Sequence, residues 1–244
     1  MTDAELAEAI ATEAGALLLD LRAKGGDGAA GDAQANTLIL ARLAAARPED
    51  AVLSEERTCD GARLVASRVW IVDPLDGTRE FGEGRDDWAV HIGLAIDGVA
   101  TLGAVALPGL DLTLSSQNPP PLRPANAPLR MLVSRTRPAA EALAIATFLN
   151  ADLVPMGSAG AKAMAVVRGE ADIYLHSGGQ YEWDNCAPVA VAVAAGLHCS
   201  RIDGAPLVYN CENPYLPDLL ICRPELAAKV LRQLSESASS QQLS

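Results

Sequence analysis

The chain has 244 residues, half of them hydrophobic, and a formal net charge of −12 at pH 7. This length and hydrophobic content predict a globular protein rather than a disordered one. The negative charge argues against nucleic acid and anionic membranes as partners, because both carry negative charge themselves. No apolar run reaches the roughly 18 residues that a membrane span needs, so we predict neither a membrane span nor a secretory signal.

Five cysteines are scattered along the chain without any Cys-x-x-Cys pair. They are Cys59, Cys186, Cys199, Cys211 and Cys222. An odd number of cysteines without a paired spacing is typical of free thiols. Because free thiols persist in a reducing compartment, we expect a cytoplasmic protein.

The first predicted elements are two helices separated by glycines. Thr2 and Glu5 form a capping-box pattern, and the apolar spacing that follows predicts a helix to about Lys24. The glycine-rich stretch 25–31 is predicted to be a mobile loop. Asp32 comes next, and its position is equally compatible with capping the second helix and with a catalytic role.

One strand end carries the strongest chemical signal of the chain. The apolar residues 69–72 predict a buried strand, and Asp73 and Asp76 follow it, with Pro74 ending the regular ladder and Gly77 freeing the backbone. Two carboxylates on a rigid strand end indicate a site for a hard cation such as Mg²⁺. The tetrapeptide alone is as compatible with an ordinary turn, since Asp, Pro and Gly are the usual turn residues.

Other acidic residues occupy comparable positions. A short predicted strand at residues 51–53 is followed by Glu55 and Glu56, which by themselves could be solvated surface. Asp184 precedes an apolar helix with Pro188 in its first turn. There it is predicted to cap the helix, to bind a metal supplied from the other half of the site, or to do both.

The rest of the N-terminal half is predicted to form an antiparallel sheet. Strands at residues 88–96 and 99–107 flank the tight-turn dipeptide Asp97-Gly98, and a further strand covers residues 112–115. Because His91 lies inside an apolar strand, it is predicted to be structural, and the same holds for His198 later in the chain.

A proline-rich stretch at residues 118–128 is the predicted boundary between two subdomains, residues 1–125 and 126–244. Strands and helices alternate after it, which indicates α/β layering. Predicted strands cover residues 130–134, 152–155, 171–176, 197–202 and 218–222, and predicted helices cover residues 138–149, 160–168, 184–195 and 224–235. The polar residues from Ser237 onward are predicted to be frayed.

The acidic residues, in their order and spacing, resemble the signature of the Mg²⁺-dependent, lithium-sensitive phosphatases of the inositol monophosphatase superfamily. The positions that carry the resemblance are Asp32, Glu55-Glu56, Asp73-Pro74-Leu75-Asp76-Gly77-Thr78, Trp183-Asp184 and Gly196. The resemblance covers nearly the whole chain. It implies a layered αβαβα sandwich of the sugar-phosphatase type, with an antiparallel sheet in the N-terminal half and a mixed α/β sheet in the C-terminal half.

Within that superfamily, the motifs at residues 76–81 and 216–220 are most similar to the CysQ-type 3′(2′),5′-bisphosphate nucleotidases of actinobacteria. The resemblance implies removal of the 3′-phosphate of phosphoadenosine phosphate, and of its sulfated form, in sulfate assimilation. Inositol phosphates and fructose 1,6-bisphosphate are alternative substrates. A phosphodiesterase or nuclease is disfavoured by the charge of the chain, and a non-catalytic metal-binding module by the presence of every acidic residue of the signature.

The resemblance also implies a set of metal ligands, two or three Mg²⁺ ions in each active site, and inhibition by Li⁺. Glu55, Asp73 and the backbone carbonyl of Leu75 would hold one ion. Asp73, Asp76 and Asp184 would hold a second, and a third, weaker ion would lie toward Glu55 and the glycine-rich loop. These ions would neutralise the phosphate and activate water for in-line attack.

Catalytic roles follow from the same resemblance. Asp32 and Thr78 would orient the attacking water and accept its proton, and Glu56 would support the ligands or bind the third ion. The backbone N–H groups of Gly77 and Thr78 would bind the phosphate.

Substrate selection is expected to depend on cations outside the metal site. Arg79 and Lys162 are candidates to bind a second phosphate, and Gly160 and Asp184 are further candidates to touch the substrate. His176 stands where many nucleotidases carry an arginine, so it either grips the 5′-phosphate or is only a polar strand end. The expected partner is a small phosphorylated nucleotide or sugar, and a homodimer is compatible with the resemblance.

Overall fold

Helices and strands form two successive blocks in the computed structural model, which describes residues 1–56 and 61–241 and their side chains through residue 237. The helices are α1 (Asp3–Ala23), α2 (Gly28–Ala46), α3 (Thr78–Gly82), α4 (Ala140–Leu149), α5 (Ala159–Val167), α6 (Glu182–Ala194) and α7 (Pro224–Gln241). The strands are β1 (Ala51–Ser54), β2 (Arg68–Asp76), β3 (Ala89–Ile96), β4 (Val99–Leu107), β5 (Leu112–Ser115), β6 (Arg130–Ser134), β7 (Asp152–Met156), β8 (Ile173–Tyr181), β9 (His198–Ser200) and β10 (Tyr215–Cys222). Short 3₁₀ turns cover Ala62–Val65 and Pro108–Leu110. The predicted elements occur in the predicted order, and the short helix α3 is an addition to them.

The N-terminal sheet has the strand order β1-β2-β3-β4-β5. Its strands from β2 to β5 are antiparallel as predicted, and the hairpin between β3 and β4 turns at Asp97-Gly98. The prediction of a purely antiparallel sheet was wrong in one respect, because β1 pairs with β2 in parallel. The long connection between these two strands returns the chain to the starting edge, which a tight hairpin cannot do.

The C-terminal sheet has the order β7-β6-β8-β10-β9 and is mixed, as predicted. Its β6 is parallel to both neighbours, whereas β10 is antiparallel to β8 and β9. The proline-rich residues 116–129 contain no strand or helix and connect the two sheets. The division into subdomains at residue 125 stays a prediction.

Five layers result from the way the helices cover the two sheets. The helices α1 and α2 pack on the outer face of the N-terminal sheet, α5 and α6 lie between the sheets, and α4 and α7 contact the far side of the C-terminal sheet. Fully buried side chains such as Ile10, Leu18 and Trp70 fill the first interface. Burying one such side chain contributes roughly 1.5–3 kcal/mol, so the predicted αβαβα sandwich is held chiefly by these apolar contacts.

Three local predictions need correction or restriction. Residues 28–31 are helical rather than a mobile loop, because Asp27 caps α2 by accepting the N–H of Ala30 at 2.8 Å. The last helix continues to Gln241, beyond the predicted fraying point. Among the described cysteines, Cys186, Cys199, Cys211 and Cys222 are free, while Cys59 and part of the predicted connection 57–67 lie outside the described residues. No described helix has the length and apolar character of a membrane span.

Candidate active site

The strand β2 ends in a buried pair of carboxylates. Its pairing with β3 is regular up to Asp73, breaks at the next residue, and resumes at Asp76. Pro74 lies in this break, where its missing N–H leaves no unpaired donor. The side chains of Asp73 and Asp76 are 1% and 7% exposed, so the irregularity aims two carboxylates into the protein rather than into solvent.

A third carboxylate joins them from the other sheet. Asp184 lies in the first turn of α6, where it accepts the N–H of Tyr181 at 2.6 Å. One oxygen each of Asp73, Asp76 and Asp184 fall within 4.8 Å of one another. The helix therefore uses Asp184 as the third residue of a capping box rather than as the cap itself, and the same side chain closes the cluster.

The donor set of this cluster fits a hard divalent cation. All three ligand atoms are carboxylate oxygens, which Mg²⁺ prefers. Burial, followed by repulsion from Asp76, Glu55 and Asp184, raises the pKa of Asp73 well above its usual range. Burial and the charge of Asp76 raise the pKa of Asp184 to about 7. A bound divalent cation would relieve this repulsion. The three carboxylates therefore fit a divalent cation as their ligand.

The remaining predicted ligands surround the cluster. Glu55 lies beyond the end of β1 on the open side of the site, and its pKa is raised by partial loss of water and by the charges of Asp76 and Glu56. Interaction with Asp73 opposes this rise in pKa. The carbonyl oxygen of Leu75 accepts the Thr78 hydroxyl at 3.0 Å. The metal roles of Glu55 and Leu75 stay predictions.

Asp76 is held from two sides by residues that were not predicted to contact it. The Ser158 hydroxyl donates to its Oδ2 at 2.5 Å, and the N–H of Gly160 donates to the same atom at 2.7 Å. His91 Nε2 lies 3.2 Å from this oxygen, within ion-pair distance but out of line for a hydrogen bond. Burial alone would raise the pKa of Asp76, but these contacts lower it to about 2. These contacts favour the ionised form of Asp76.

His91 was predicted to be only structural, and the structure places it beside the cluster. It pairs directly with Asp73 across the β2–β3 ladder, and its Nδ1 lies 3.0 Å from the carbonyl oxygen of Trp183. It thus links Asp76 to the start of α6. The sequence offered one sign of this position, a polar residue in the strand that pairs with the acidic strand end. Using that sign requires the register of β2 and β3, which the sequence does not provide.

Gly160 and Lys162 occupy supporting positions beneath the cluster. A Cβ atom on Gly160 would lie 2.0 Å from His91 Nε2, so only glycine permits this approach. Lys162 is buried, and its ammonium group donates to the carbonyl oxygens of Gly157 at 3.0 Å and Ser158 at 2.5 Å. Burial lowers its pKa to about 8. Lys162 thus stabilises the turn that holds Asp76, and direct contact of either residue with substrate stays a prediction.

Asp32 lies on α2, facing the cluster rather than capping the helix. Its side chain is 7% exposed, and its Oδ1 is buried without a hydrogen-bond partner in the described part of the chain. Burial, then repulsion from Glu56 and Glu55, raises its pKa to about 7, while a hydrogen bond with Thr78 opposes that rise. The predicted cap role was wrong, because Asp27 supplies the cap. A buried carboxyl with such a pKa is suited to accept a proton near neutral pH.

The turn after Asp76 leads into α3. Gly77 adopts a φ of +89°, a left-handed conformation that glycine takes without strain. Thr78 and Arg79 follow it and are exposed. The predicted contacts of these three residues with phosphate are compatible with this exposure and stay predictions.

Two basic residues, His176 within β8 and Arg137 in the loop after β6, lie beside the glycines of β8. His176 Nε2 is 2.8 Å from the carbonyl oxygen of Gly178, and burial lowers the pKa of the imidazole, with Lys162 and Arg137 adding to the effect. The guanidinium of Arg137 lies 3.6 Å from the position that a Cβ on Gly179 would take. Arg137 was not singled out in the sequence, because an arginine after a strand carries no specific signal.

Comparison with known proteins agrees with this geometry. The sequence profile described as "Inositol monophosphatase family" matches residues 28–239. The chain belongs to the inositol monophosphatase family. Among curated relatives, the 3′-phosphoadenosine 5′-phosphate phosphatase of Mycobacterium bovis is 52% identical over 92% of this chain and 90% of its own length. The 3′(2′),5′-bisphosphate nucleotidase CysQ of Escherichia coli K12 is 32% identical over 77% of this chain and 81% of its own length.

Solved structures of the family share the fold. The crystal structure of CysQ from Bacteroides thetaiotaomicron, described as a bacterial member of the inositol monophosphatase family, superposes with a TM-score of 0.78. It is 26% identical, and the match covers 91% of this chain and 97% of that one. The predicted family and sandwich fold are therefore confirmed.

The raised pKa values predict how pH changes the stability of the metal-free protein. Asp32, Asp73 and Asp184 hold protons in the folded state at pH values where the unfolded chain has released them. The free energy of unfolding should therefore fall as pH rises from about 4, the ordinary pKa of Asp, to about 7. We expect calorimetry in the presence of a chelator to show a melting temperature that declines from pH 5.5 to pH 7.5.

Added Mg²⁺ should reverse this decline, since it binds the ionised carboxylates. At a concentration about 100-fold above its Kd, it is expected to raise the melting temperature by about 5–10 °C at pH 7.5. At pH 5.5 the rise should be less than about half as large, because protons compete for the same oxygens. A rise that is equal at both pH values would contradict the assignment of the buried carboxyl groups to the metal site.

Proposed function

We propose that this protein is a Mg²⁺-dependent phosphomonoesterase that removes the 3′-phosphate of 3′-phosphoadenosine 5′-phosphate. The observation that carries the proposal is the buried cluster of Asp73, Asp76 and Asp184, supplied by both halves of a chain that is 52% identical to a phosphatase of that name. The cluster supports a metal-dependent hydrolase, and the relative supports the choice of substrate. Two or three ions per site and inhibition by Li⁺ are parts of the same proposal.

The side chains have separate tasks in this reaction. Divalent cations, when bound, would neutralise the phosphate oxygens and the leaving alkoxide and would acidify a water molecule. Asp73, Asp76 and Asp184 hold them, and His91 with Ser158 keeps Asp76 ionised and oriented. Asp32, with its raised pKa, accepts the proton of the attacking water, and Thr78 orients that carboxyl group.

The second phosphate of the substrate needs cations outside the metal cluster. Arg79 follows the Gly77 turn and is exposed, and Arg137 lies in the loop after β6 with its guanidinium beside Gly179. That loop is fixed to α3, because Arg135 Nη2 donates to Glu80 Oε1 at 2.8 Å. Arg137 lies two residues after this link to the helix that follows the predicted phosphate-binding turn. We assign it the second phosphate in preference to Lys162, whose ammonium group is already bonded to backbone carbonyls.

An aromatic cluster lies beside the site and suits the adenine. The rings of Tyr181 and Trp183 stack on each other with centroids 4.8 Å apart, so a base cannot enter between them. Tyr181 is 39% exposed, and Tyr215 approaches it edge-on at 5.7 Å. In this arrangement the base stacks on the exposed surface of the Tyr181 ring.

Phosphate release from three substrates tests the proposed function. With Mg²⁺ present, kcat/KM for 3′-phosphoadenosine 5′-phosphate is expected to exceed the values for inositol 1-phosphate and fructose 1,6-bisphosphate by at least about tenfold, in line with the discrimination that a few contacts provide. A chelator should abolish the activity. Preference for inositol 1-phosphate would replace the proposal with the alternative activity, and absence of turnover on all three would indicate a non-catalytic metal-binding protein.

Replacing Arg137 with glutamine should weaken binding only of substrates that carry the second phosphate. Loss of a charge-assisted contact worth about 1.5–3 kcal/mol is expected to raise KM for 3′-phosphoadenosine 5′-phosphate by about 10- to 100-fold. Turnover of 3′-AMP, which lacks the second phosphate, should change less than about twofold. Arg232→Gln, an exposed arginine on α7, is the matched control. An equal effect on both substrates would contradict the role given to Arg137.

A further inference from the structure

Glu182 is a buried carboxylate that the proposed chemistry does not use. It lies at the start of α6, two residues before Asp184, and is 1% exposed. Its two oxygens accept backbone N–H groups from one loop, Asn210 at 2.6 Å and Cys211 at 2.8 Å. Its own N–H donates to the carbonyl oxygen of Pro214 at 2.8 Å. The first turn of α6 is thus anchored to residues 210–214.

Asn210 is bound from the opposite direction by Arg63. The guanidinium Nη1 of Arg63 donates to Asn210 Oδ1 at 2.7 Å, and Asn210 Nδ2 donates to the carbonyl oxygen of Arg63 at 2.8 Å. Asn210 has a φ of +61°, a left-handed conformation that asparagine tolerates better than most residues. This conformation lets its N–H reach Glu182 while its side chain reaches Arg63.

The three residues Arg63, Asn210 and Glu182, here called the Asn210 clamp, join parts of the chain that carry different metal ligands. Arg63 belongs to the connection between β1 and β2, which begins with Glu55, and Glu182 belongs to the helix that carries Asp184. Arg63 is 3% exposed, so both charged ends of the clamp are buried. Burying a charged network of this kind costs desolvation free energy. In return, its hydrogen bonds fix the relative position of the segments that it joins.

A second set of hydrogen bonds also ties this loop to the first turn of α6. The Tyr209 hydroxyl donates to Asn185 Oδ1 at 3.0 Å, and Tyr209 N–H donates to the carbonyl oxygen of Gly98 at 2.9 Å. Asn185 directly follows Asp184. Both residues that flank Trp183-Asp184 are therefore tied to residues 209–211, a loop far from them in sequence.

We propose that Glu182 is a positioning residue that, through the Asn210 clamp, holds Asp184 in register with the ligands of the N-terminal half and so sets the affinity of the site for divalent cations. The inference rests on the metal site of the proposed function. It concerns binding of the metal alone, without any substrate.

Calorimetric titration of Mg²⁺ into the metal-free, full-length protein tests this role. Asn210→Gly retains the left-handed conformation and all charges but removes the side-chain contacts to Arg63. Glu182→Gln retains the shape but removes the charge and one acceptor. Each is expected to raise the Kd for Mg²⁺ about tenfold, the size usual for groups that orient metal ligands, while kcat at saturating Mg²⁺ changes less than about threefold.

Glu212→Gln is the matched control, since it removes one negative charge from an exposed side chain of the same loop. Its Kd for Mg²⁺ should stay within about twofold of the wild type. Asn210 and Glu182 belong to the same linkage. The Kd for Mg²⁺ of the double variant Asn210→Gly/Glu182→Gln should therefore rise by less than the product of the two single increases. If Asn210→Gly does not fold, Arg63→Lys, which keeps the charge but loses the planar fork, should give the same rise.

Three results would overturn the inference. They are an Asn210→Gly or Arg63→Lys protein whose Kd matches the wild type, a Glu212→Gln protein weakened as much as Glu182→Gln, and a wild type that binds no Mg²⁺. Failure of the proposed function looks different. A protein that binds Mg²⁺ and responds to these substitutions but leaves 3′-phosphoadenosine 5′-phosphate intact supports the clamp and removes only the substrate assignment.

Discussion

Asp73→Asn is expected to lower kcat/KM at least about 10³-fold while leaving the metal-free protein as stable as the wild type, or more stable, at pH 8. Asp73 is one of the three converging carboxylates, and losing a ligand of the proposed metal site would remove several kcal/mol of transition-state stabilisation at about 1.36 kcal/mol per factor of ten. Its burial and the repulsion from its neighbours oppose ionisation, so a neutral amide relieves the folded state. Steady-state kinetics and calorimetry in chelator provide the two measurements.

Asp76→Asn is the matched comparison, because it should differ from Asp73→Asn in stability but not in activity. It should lose activity equally, but its melting temperature should fall, because Ser158 and Gly160 would then face an amide in place of an ionised acceptor. Removing an acid from a carboxylate cluster ordinarily relieves repulsion. The hydrogen bonds to Asp76 restrict that relief to Asp73. An active Asp73→Asn protein would contradict the proposed site.

Asp32→Asn is expected to lower kcat by about 10²- to 10⁴-fold, the usual contribution of a general base, with the Kd for Mg²⁺ changed less than about threefold. Asp32 is buried beside the cluster but is not among the three carboxylates whose oxygens converge. Its loss should therefore affect proton transfer more than metal binding. A large loss of Mg²⁺ affinity would show instead that Asp32 is a metal ligand.

The pH profile gives an independent test of the same assignment. The base must be ionised, so the wild-type rate should fall as pH decreases through the pKa of Asp32, which is about 7 in the metal-free protein and lower when cations are bound. In Asp32→Asn this acidic limb should disappear from the residual activity. Thr78→Ser retains the hydroxyl group that is proposed to orient Asp32 and is the conservative control, expected to keep the profile of the wild type.

Local patterns in the sequence were sufficient for the acidic strand end and for the elements around it. The break in β2 follows from Pro74, the β3–β4 hairpin from Asp97-Gly98, and the start of α1 from the capping box of Thr2 and Glu5. Each of these signals acts between residues a few positions apart. Because they need no contact with a distant segment, the sequence could reveal them.

Contacts between distant segments could not be predicted from local patterns. His91 was assigned to the core because its neighbours are apolar, and only the register of β2 and β3 places it opposite Asp73. Asp32 looked like a helix cap because it follows glycines, although Asp27 is the residue that accepts the N–H group. Lys162 looked free to bind phosphate until its burial showed that the ammonium group holds a turn.

The sequence by itself determined that acidic residues would end two strands and begin a helix, and the family resemblance supplied their common purpose. Only the tertiary structure decided which of them converge, because the packing of α6 between the two sheets brings Asp184 to within 4.8 Å of the β2 carboxylates. The Asn210 clamp belongs to this second category. Its members are far apart in the chain, and their hydrogen bonds exist only after hydrophobic packing has brought the two halves together.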